Sequence, residues 1–222
     1  MGGAFDGQST IAQVLAHGPL GVGTLNHLAG EMTIIDGVAY LCDTTGTARV
    51  VGLEELTPFA VVSPFAAPRS TAIGACADLG TLQAVIARLA QRASDLLAFR
   101  VDGHFAELHL RSVHAQEPPY VSLAKASEDQ SEFDFYDVEG TLVGFVFPDL
   151  AAGIEVPGFH VHFLTSDRTR GGHVLSMTLI AGTLQLDETA ELRLELPEGV
   201  DLGRVGAMDR AVLNAIENER HH

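Results

Sequence analysis

Gly158-Phe159-His160-Val161-His162-Phe163-Leu164, and then Gly171-Gly172-His173-Val174-Leu175-Ser176-Met177-Thr178-Leu179, are two β-rich runs separated by a polar stretch from Thr165 to Arg170. Residues two apart on a strand project from one face, so His160 and His162 aim the same way while Val161 and Phe163 turn to the other. The polar stretch leads into paired glycines and reads as a turn that returns His173 beside the pair. Three imidazoles on a β-hairpin match a catalytic zinc, which takes three protein donors and keeps a fourth position open. Zinc is the expected ion, with another divalent metal as the alternative. A lone His-x-His pair is more often ordinary core or surface structure; the third histidine and the apolar alternate positions favour the metal reading.

Outward from this hairpin, the pattern stays β-rich. Strands are expected at Gly140 to Phe147, Gly158 to Leu164, Gly172 to Ile180, Gly182 to Asp187 and Ala190 to Leu196, joined by Gly-rich turns as in a small antiparallel barrel or sandwich. Met208 to Glu219 has Val212, Leu213 and Ile216 at helical spacing. The terminal His221-His222 resembles the start of a purification tag and is set aside. Upstream, Ser127 to Glu132 is polar and acidic and reads as a connector.

In the first half, Thr10 to His17 fits a short helix stopped by Gly18-Pro19, and Asp36-Gly37 between two β-rich runs is the signature of a type I′ hairpin. Val61 to Val62 and Ser70 to Ala75 read as further strands. From Thr81 to Ser94 the residues Leu82, Val85, Ile86 and Leu89 recur at helical spacing, with Thr81 placed to cap. This is the one helix of substantial length. Leu96 to Val101 then reads as a strand, Asp102-Gly103 as a tight turn and Phe105 to Val113 as the returning strand, on which Arg111 shares a face with Glu107 and His109. Taken alone, that face would be solvated.

The 222 residues suffice for one large domain or two small ones with a proper core. A net charge of -16, with only 13 Lys and Arg, argues against a nucleic-acid partner, because phosphate binding relies on clustered cations. Cys42 and Cys76 lack the spacing of a zinc or redox pair and read as buried thiols in a reducing compartment. The chain opens without the pattern of a signal peptide and has no apolar run long enough to span a bilayer, so a cytoplasmic protein without a membrane partner is expected.

An ordered series of short motifs resembles the α-acetolactate decarboxylase family. Thr24-Leu25-Asn26-His27-Leu28-Ala29-Gly30-Glu31 is similar to its G-T-x-N-x-L-x-G-E segment. Phe99-Arg100-Val101-Asp102-Gly103 and Arg111-Ser112-Val113 resemble its F-R-[IV]-D-G and R-[TS]-V elements. Gly140 to Phe145, Gly158 to Phe163 and Gly171 to Val174 complete the series in order. The resemblance implies an α+β fold: a mixed-sheet domain with one main helix, here residues 1–139, then an antiparallel β-barrel-like metal-binding domain with a C-terminal helical segment, here residues 140–222. It also implies a homodimer. The activity implied is metal-dependent, usually zinc-dependent, conversion of 2-acetolactate to acetoin and carbon dioxide. His160, His162 and His173 would be the metal ligands, Glu31 and Arg111 active-site residues, and Thr24 and Leu28 would line the substrate pocket. The family's C-terminal glutamate matches Glu219, with Glu217 as the alternative, because the spacing here departs by one residue.

The chemistry follows from the substrate, a 2-hydroxy-3-keto acid. Loss of carbon dioxide leaves an enediolate, and a divalent cation chelated by ketone and hydroxyl lowers that barrier as a Lewis acid. Arg111 offers a fork of donors for the carboxylate or a developing oxyanion. The C-terminal glutamate would deliver the proton to one face, with Glu31 orienting the hydroxyl or sharing the transfer. Two rival readings are a cupin-like metal oxygenase, in which Asp167 would have to supply the acidic ligand, and a β-rich metal or ligand-binding module without turnover.

Overall fold

Strand succeeds strand along most of the chain, and in the computed structural model, which describes residues 5–66, 69–91, 96–148, 158–189 and 191–195, few helices interrupt them. In chain order the strands are β1 (Ser9–Thr10), β2 (Leu20–Leu25), β3 (Ala29–Ile35), β4 (Val38–Cys42), β5 (Ala48–Val50), β6 (Leu56–Thr57), β7 (Phe59–Ser63), β8 (Arg69–Ile73), β9 (Leu96–Val113), β10 (Gln130–Phe147), β11 (Gly158–Thr165) and β12 (Gly171–Thr189). The helices are α1 (Ile11–Leu15), α2 (Leu79–Leu89) and α3 (Leu123–Ala126), with a 3-10 turn at Asn26–Leu28.

A first sheet has the order β5-β4-β3-β2-β7 and a second the order β11-β10-β9-β12-β8. All strand pairings among the described residues are antiparallel, so the first sheet is not the mixed sheet expected. β2 to β5 are consecutive and tightly connected, whereas a parallel pair needs a crossover of about a dozen residues or more. In the second sheet β11 also pairs with β12, so β9, β10, β11 and β12 close on one another. β10 runs unbroken through Glu139 and Gly140, and β8 and β9 enter the second sheet from earlier in the chain.

The Asp36-Gly37 hairpin forms as expected, with both residues at positive φ (53° and 77°), as a type I′ turn requires. Asp102-Gly103 does not turn. It lies inside β9, where Gly103 stands opposite Gly140 on one side and Gly182 on the other. A Cβ on Gly103 would meet the Ala181 carbonyl at 2.8 Å, so the glycine here serves close approach between strands rather than a left-handed bend. Gly182 is read through in the same way, and the two strands expected at 172–180 and 182–187 are one, β12. The acidic connector is correspondingly short, because β10 already begins at Gln130, paired with Val113.

Helix α2 is capped by Asp78, whose side chain accepts the Thr81 N–H at 2.6 Å; Thr81 is therefore inside the helix and not its cap. The helix ends at Leu89, where Ala90 turns extended and the Gln91 N–H meets the Glu188 carboxylate. The expected strand at Ala190 to Leu196 is absent from residues 191–195. The expected helix at Met208 to Glu219 lies outside the described residues.

Alternation along the strands sorts most buried side chains of the two sheets into three of the four apolar clusters among the described residues. Val101, Phe105, Leu108, Leu142, Val161, Phe163 and Leu179 point inward among the closed strands, with Leu82 and Ile86 of α2 packed against the same cluster. Met32, Ile34 and Leu41 face α1 through Ile11 and Val14. Between the two sheets lies a third layer of Leu20, Val22, Ile35, Cys42, Val143, Phe145 and Leu164. Both cysteines are buried thiols, as expected, and burial pushes each thiol above its ordinary range.

The closure of β11 on β12 rests on three residue pairs, one of them Leu164 opposite Gly171. A Cβ on Gly171 would fall 2.1 Å from the Phe163 carbonyl, which is main chain and can retreat only by parting the strands. Gly171→Ala is expected to destabilise the protein by about 1–3 kcal/mol, read as a lowered midpoint in urea unfolding.

Candidate metal centre

The row that builds the centre runs across strands. His162 is the register partner of His173, and His173 of Arg111. Directly opposed residues in an antiparallel pair share a face, so the three side chains stand beside one another. His160, two residues before His162, joins them. This face looks onto the first sheet, whose strand β3 presents Glu31, Thr33 and Ile35 by alternation. The polar groups thus converge inside an otherwise apolar layer.

His160, His162 and His173 are all buried, and one nitrogen from each lies within 4.8 Å of the others. The Nε2 atoms of His160 and His162 are 3.3 Å apart. Two nitrogens bound to one tetrahedral ion at about 2.0–2.1 Å stand about 3.3–3.4 Å apart, so the spacing fits shared coordination. His162 Nδ1 is 2.9 Å from the Met32 carbonyl. A carbonyl only accepts, so Nδ1 carries the proton and Nε2 keeps its lone pair, the tautomer a ligand needs. Burial, then the neighbouring His160 and Arg111, drive His162 well below the usual imidazole pKa, against the smaller opposing effect of the Met32 bond.

Glu31 and Arg111 complete the cluster. Glu31 Oε1 accepts from Arg111 Nη1 at 3.2 Å, and Glu31 Oε2 lies 3.5 Å from His162 Nε2. Both side chains are buried. The face of Arg111 is not solvated as its neighbours suggest, because β3 covers it at this point, whereas His109 further along remains at the surface with Asp134 and Glu132. Arg111 Nε is buried without a hydrogen-bond partner among the described residues, a donor held in reserve inside the site.

Thr24, near the end of β2, and Leu28, in the 3-10 turn, flank the bend that delivers Glu31. Thr24 donates its hydroxyl to the Gly30 carbonyl at 2.8 Å, and a register shift between Gly23 and Leu25 marks the bend. His27 and Leu28 both take positive φ (68° and 55°), a backbone that non-glycine residues hold only when their surroundings impose it. The His27 N–H donates to Phe5 and its carbonyl accepts from Gln116, which supply that constraint. Leu28 packs with Phe5, Val113 and Ala126. Glu217 and Glu219 lie outside the described residues. Asp167 accepts from Thr165 and Thr169 within the turn before Gly171 and takes no part in the histidine group.

Two contacts had no sequence signal. The Met32 carbonyl is backbone, which residue identity does not mark. Phe59, on β7 opposite Thr24, stacks its ring on His160 with centroids 6.4 Å apart and planes 8° from parallel.

His162→Ala is expected to lose the metal, with elemental analysis finding about one ion per chain in the wild type and none in the variant. In the metal-free protein the depressed His162 pKa makes the unfolded state bind more protons below about pH 6.5, so stability falls as pH drops below that value, by up to about 1.4 kcal/mol per unit. At His109 burial lowers the pKa, but the hydrogen bonds and charges of Asp134 and Glu132 together raise it, the opposite direction to His162. The difference between wild type and His162→Gln in urea unfolding across pH isolates the His162 contribution.

The model of the family described as alpha-acetolactate decarboxylase matches residues 1–205. An alpha-acetolactate decarboxylase from Methanosarcina mazei is 40% identical over 199 residues, covering 90% of this chain and 69% of that protein. One from Klebsiella aerogenes is 38% identical over 197 residues, covering 89% and 76%. The crystal structure of alpha-acetolactate decarboxylase from Bacillus subtilis strain 168 superposes with a TM-score of 0.92 at 30% identity, covering 97% of this chain and 94% of that one.

Proposed function

The chain belongs to the alpha-acetolactate decarboxylase family and decarboxylates acetolactate, and we propose that it does so on a divalent metal, zinc in the first instance, held by His160, His162 and His173. The observation that carries this reading is the convergence of three buried imidazoles with the Glu31 and Arg111 pair in one apolar layer. An ion held by these three imidazoles would supply Lewis-acid chemistry to the oxygens of a 2-hydroxy-3-keto acid, the electron sink that loss of carbon dioxide requires.

The protein's own residues do the rest. Arg111 binds the substrate carboxylate or the developing oxyanion through donors that Glu31 does not use, Nε among them. Glu31, fixed by Arg111 on one oxygen, holds the other beside His162 Nε2, where it orients the substrate hydroxyl or shares in proton transfer. Glu219, or Glu217 in its place, delivers the proton that sets product chirality. Thr24 and Leu28 shape the pocket from the strained turn ahead of Glu31. The apolar layer excludes water, which strengthens each of these electrostatic contacts. The family resemblance extends the reading to a cytoplasmic homodimer. No described helix is long and apolar enough to cross a membrane.

Zinc-loaded protein is expected to form acetoin and carbon dioxide from acetolactate, and chelator-stripped protein to lose that activity until zinc is restored. Acetoin no higher than the spontaneous background from loaded protein would overturn the assignment. Arg111→Lys removes the planar fork but keeps the charge, and is expected to lower kcat/KM by about 10²–10³ with metal content unchanged.

A further inference from the structure

The three histidines are not held alike. His162 is oriented by its hydrogen bond to the Met32 carbonyl. His160 has no counterpart among the described residues, where its Nδ1 is buried without a hydrogen-bond partner. A metal-bound imidazole almost always donates its second ring N–H to an acceptor, and that bond fixes the ring's rotation. Without one, rotation of the His160 ring is set by packing.

The aromatic neighbour is Phe59, whose half-buried ring lies nearly parallel to His160, with planes 8° apart in angle and centroids 6.4 Å apart. That is an offset stack within the range where aromatic faces attract. Phe59 stands on β7, remote in sequence from the strands that carry the histidines, and its backbone is well anchored. It pairs with Thr24, and the Phe59 N–H donates to Thr57 Oγ1 at 3.1 Å. The same Thr57 hydroxyl donates to the Thr24 carbonyl at 2.6 Å, tying the start of β7 to β2. The Phe59 ring is therefore held in a fixed place beside His160, parallel to it and offset.

We propose that Phe59 is a positioning residue for the metal centre: its ring sets the tilt of His160 so that Nε2 points to the ion shared with His162, taking the place of the hydrogen bond that His160 lacks. The inference rests on the metal reading above. It assigns to the first sheet a third contribution to the centre, in addition to the Met32 carbonyl and Glu31.

The test compares zinc affinity, by competition with a chromophoric chelator, and the visible absorption of the cobalt(II)-substituted protein. Phe59→Leu keeps an apolar side chain but loses the flat face, and is expected to weaken zinc binding by about tenfold or more and to alter the cobalt bands, with Phe59→Tyr restoring both to near the wild type. Val61→Ala, two residues along the same strand, loosens packing between the sheets and is expected to lower the thermal midpoint without changing zinc affinity or the cobalt spectrum. Wild-type affinity in Phe59→Leu, or equal weakening in Val61→Ala, would overturn the role of Phe59 while leaving the metal reading intact. A wild type that holds no zinc would overturn that reading and this inference with it.

Discussion

Glu31 and Arg111 meet at 3.2 Å, beside the three histidines, in a layer whose other side chains are mostly apolar. A carboxylate there costs several kcal/mol unless a cation and further hydrogen bonds compensate, and removing either partner would strand the other. Because Glu31 belongs to the first sheet and Arg111 to the second, the pair constrains how the two sheets sit face to face. It also determines what surrounds the histidines: the strand that brings Glu31 brings the Met32 carbonyl, and the strand that brings Arg111 pairs with the one carrying His173.

A second constraint acts along the strands. β9, β10, β11 and β12 close on one another, so a residue's neighbours are set on two sides at once, and His162, His173 and Arg111 fall into one row. Such closure needs places where backbones approach closely. Gly140, Gly103 and Gly182 form another row of opposed residues across β10, β9 and β12, and Gly171 fits directly against the Phe163 carbonyl. Large side chains fill the inside, where Phe163 meets Phe105 and Phe135 edge to face.

Much of this was legible beforehand, for local reasons. Alternation placed His160 and His162 on one face, and the paired glycines returned His173 to them. Asp36-Gly37 turned as its φ preferences demand. The errors share a cause. Asp102-Gly103 carries the same dipeptide signal as Asp36-Gly37, yet in β9 it is extended, because Asp102 is engaged by Arg100 and Thr141 and Gly103 is packed between two strands. The signal is a statement about conformational freedom, and tertiary packing decides how that freedom is used. The cap of α2 moved from Thr81 to Asp78 for a smaller reason of the same kind, since any side-chain acceptor placed before the first turn can take that N–H.

The sequence by itself determined the antiparallel strands of the second half, the histidine triad and, through an ordered motif series, the family. These depend on side-chain period, on turn residues and on residue identity, all of which are written along the chain. Tertiary structure alone decided that Arg111 is buried against Glu31, that the Met32 carbonyl sets the tautomer of His162, and that the Phe59 ring stands parallel to His160. Each of those joins segments 80 to 130 residues apart across the layer between two sheets. No local periodicity encodes which faces of two sheets will meet, because that is settled by the summed burial of both.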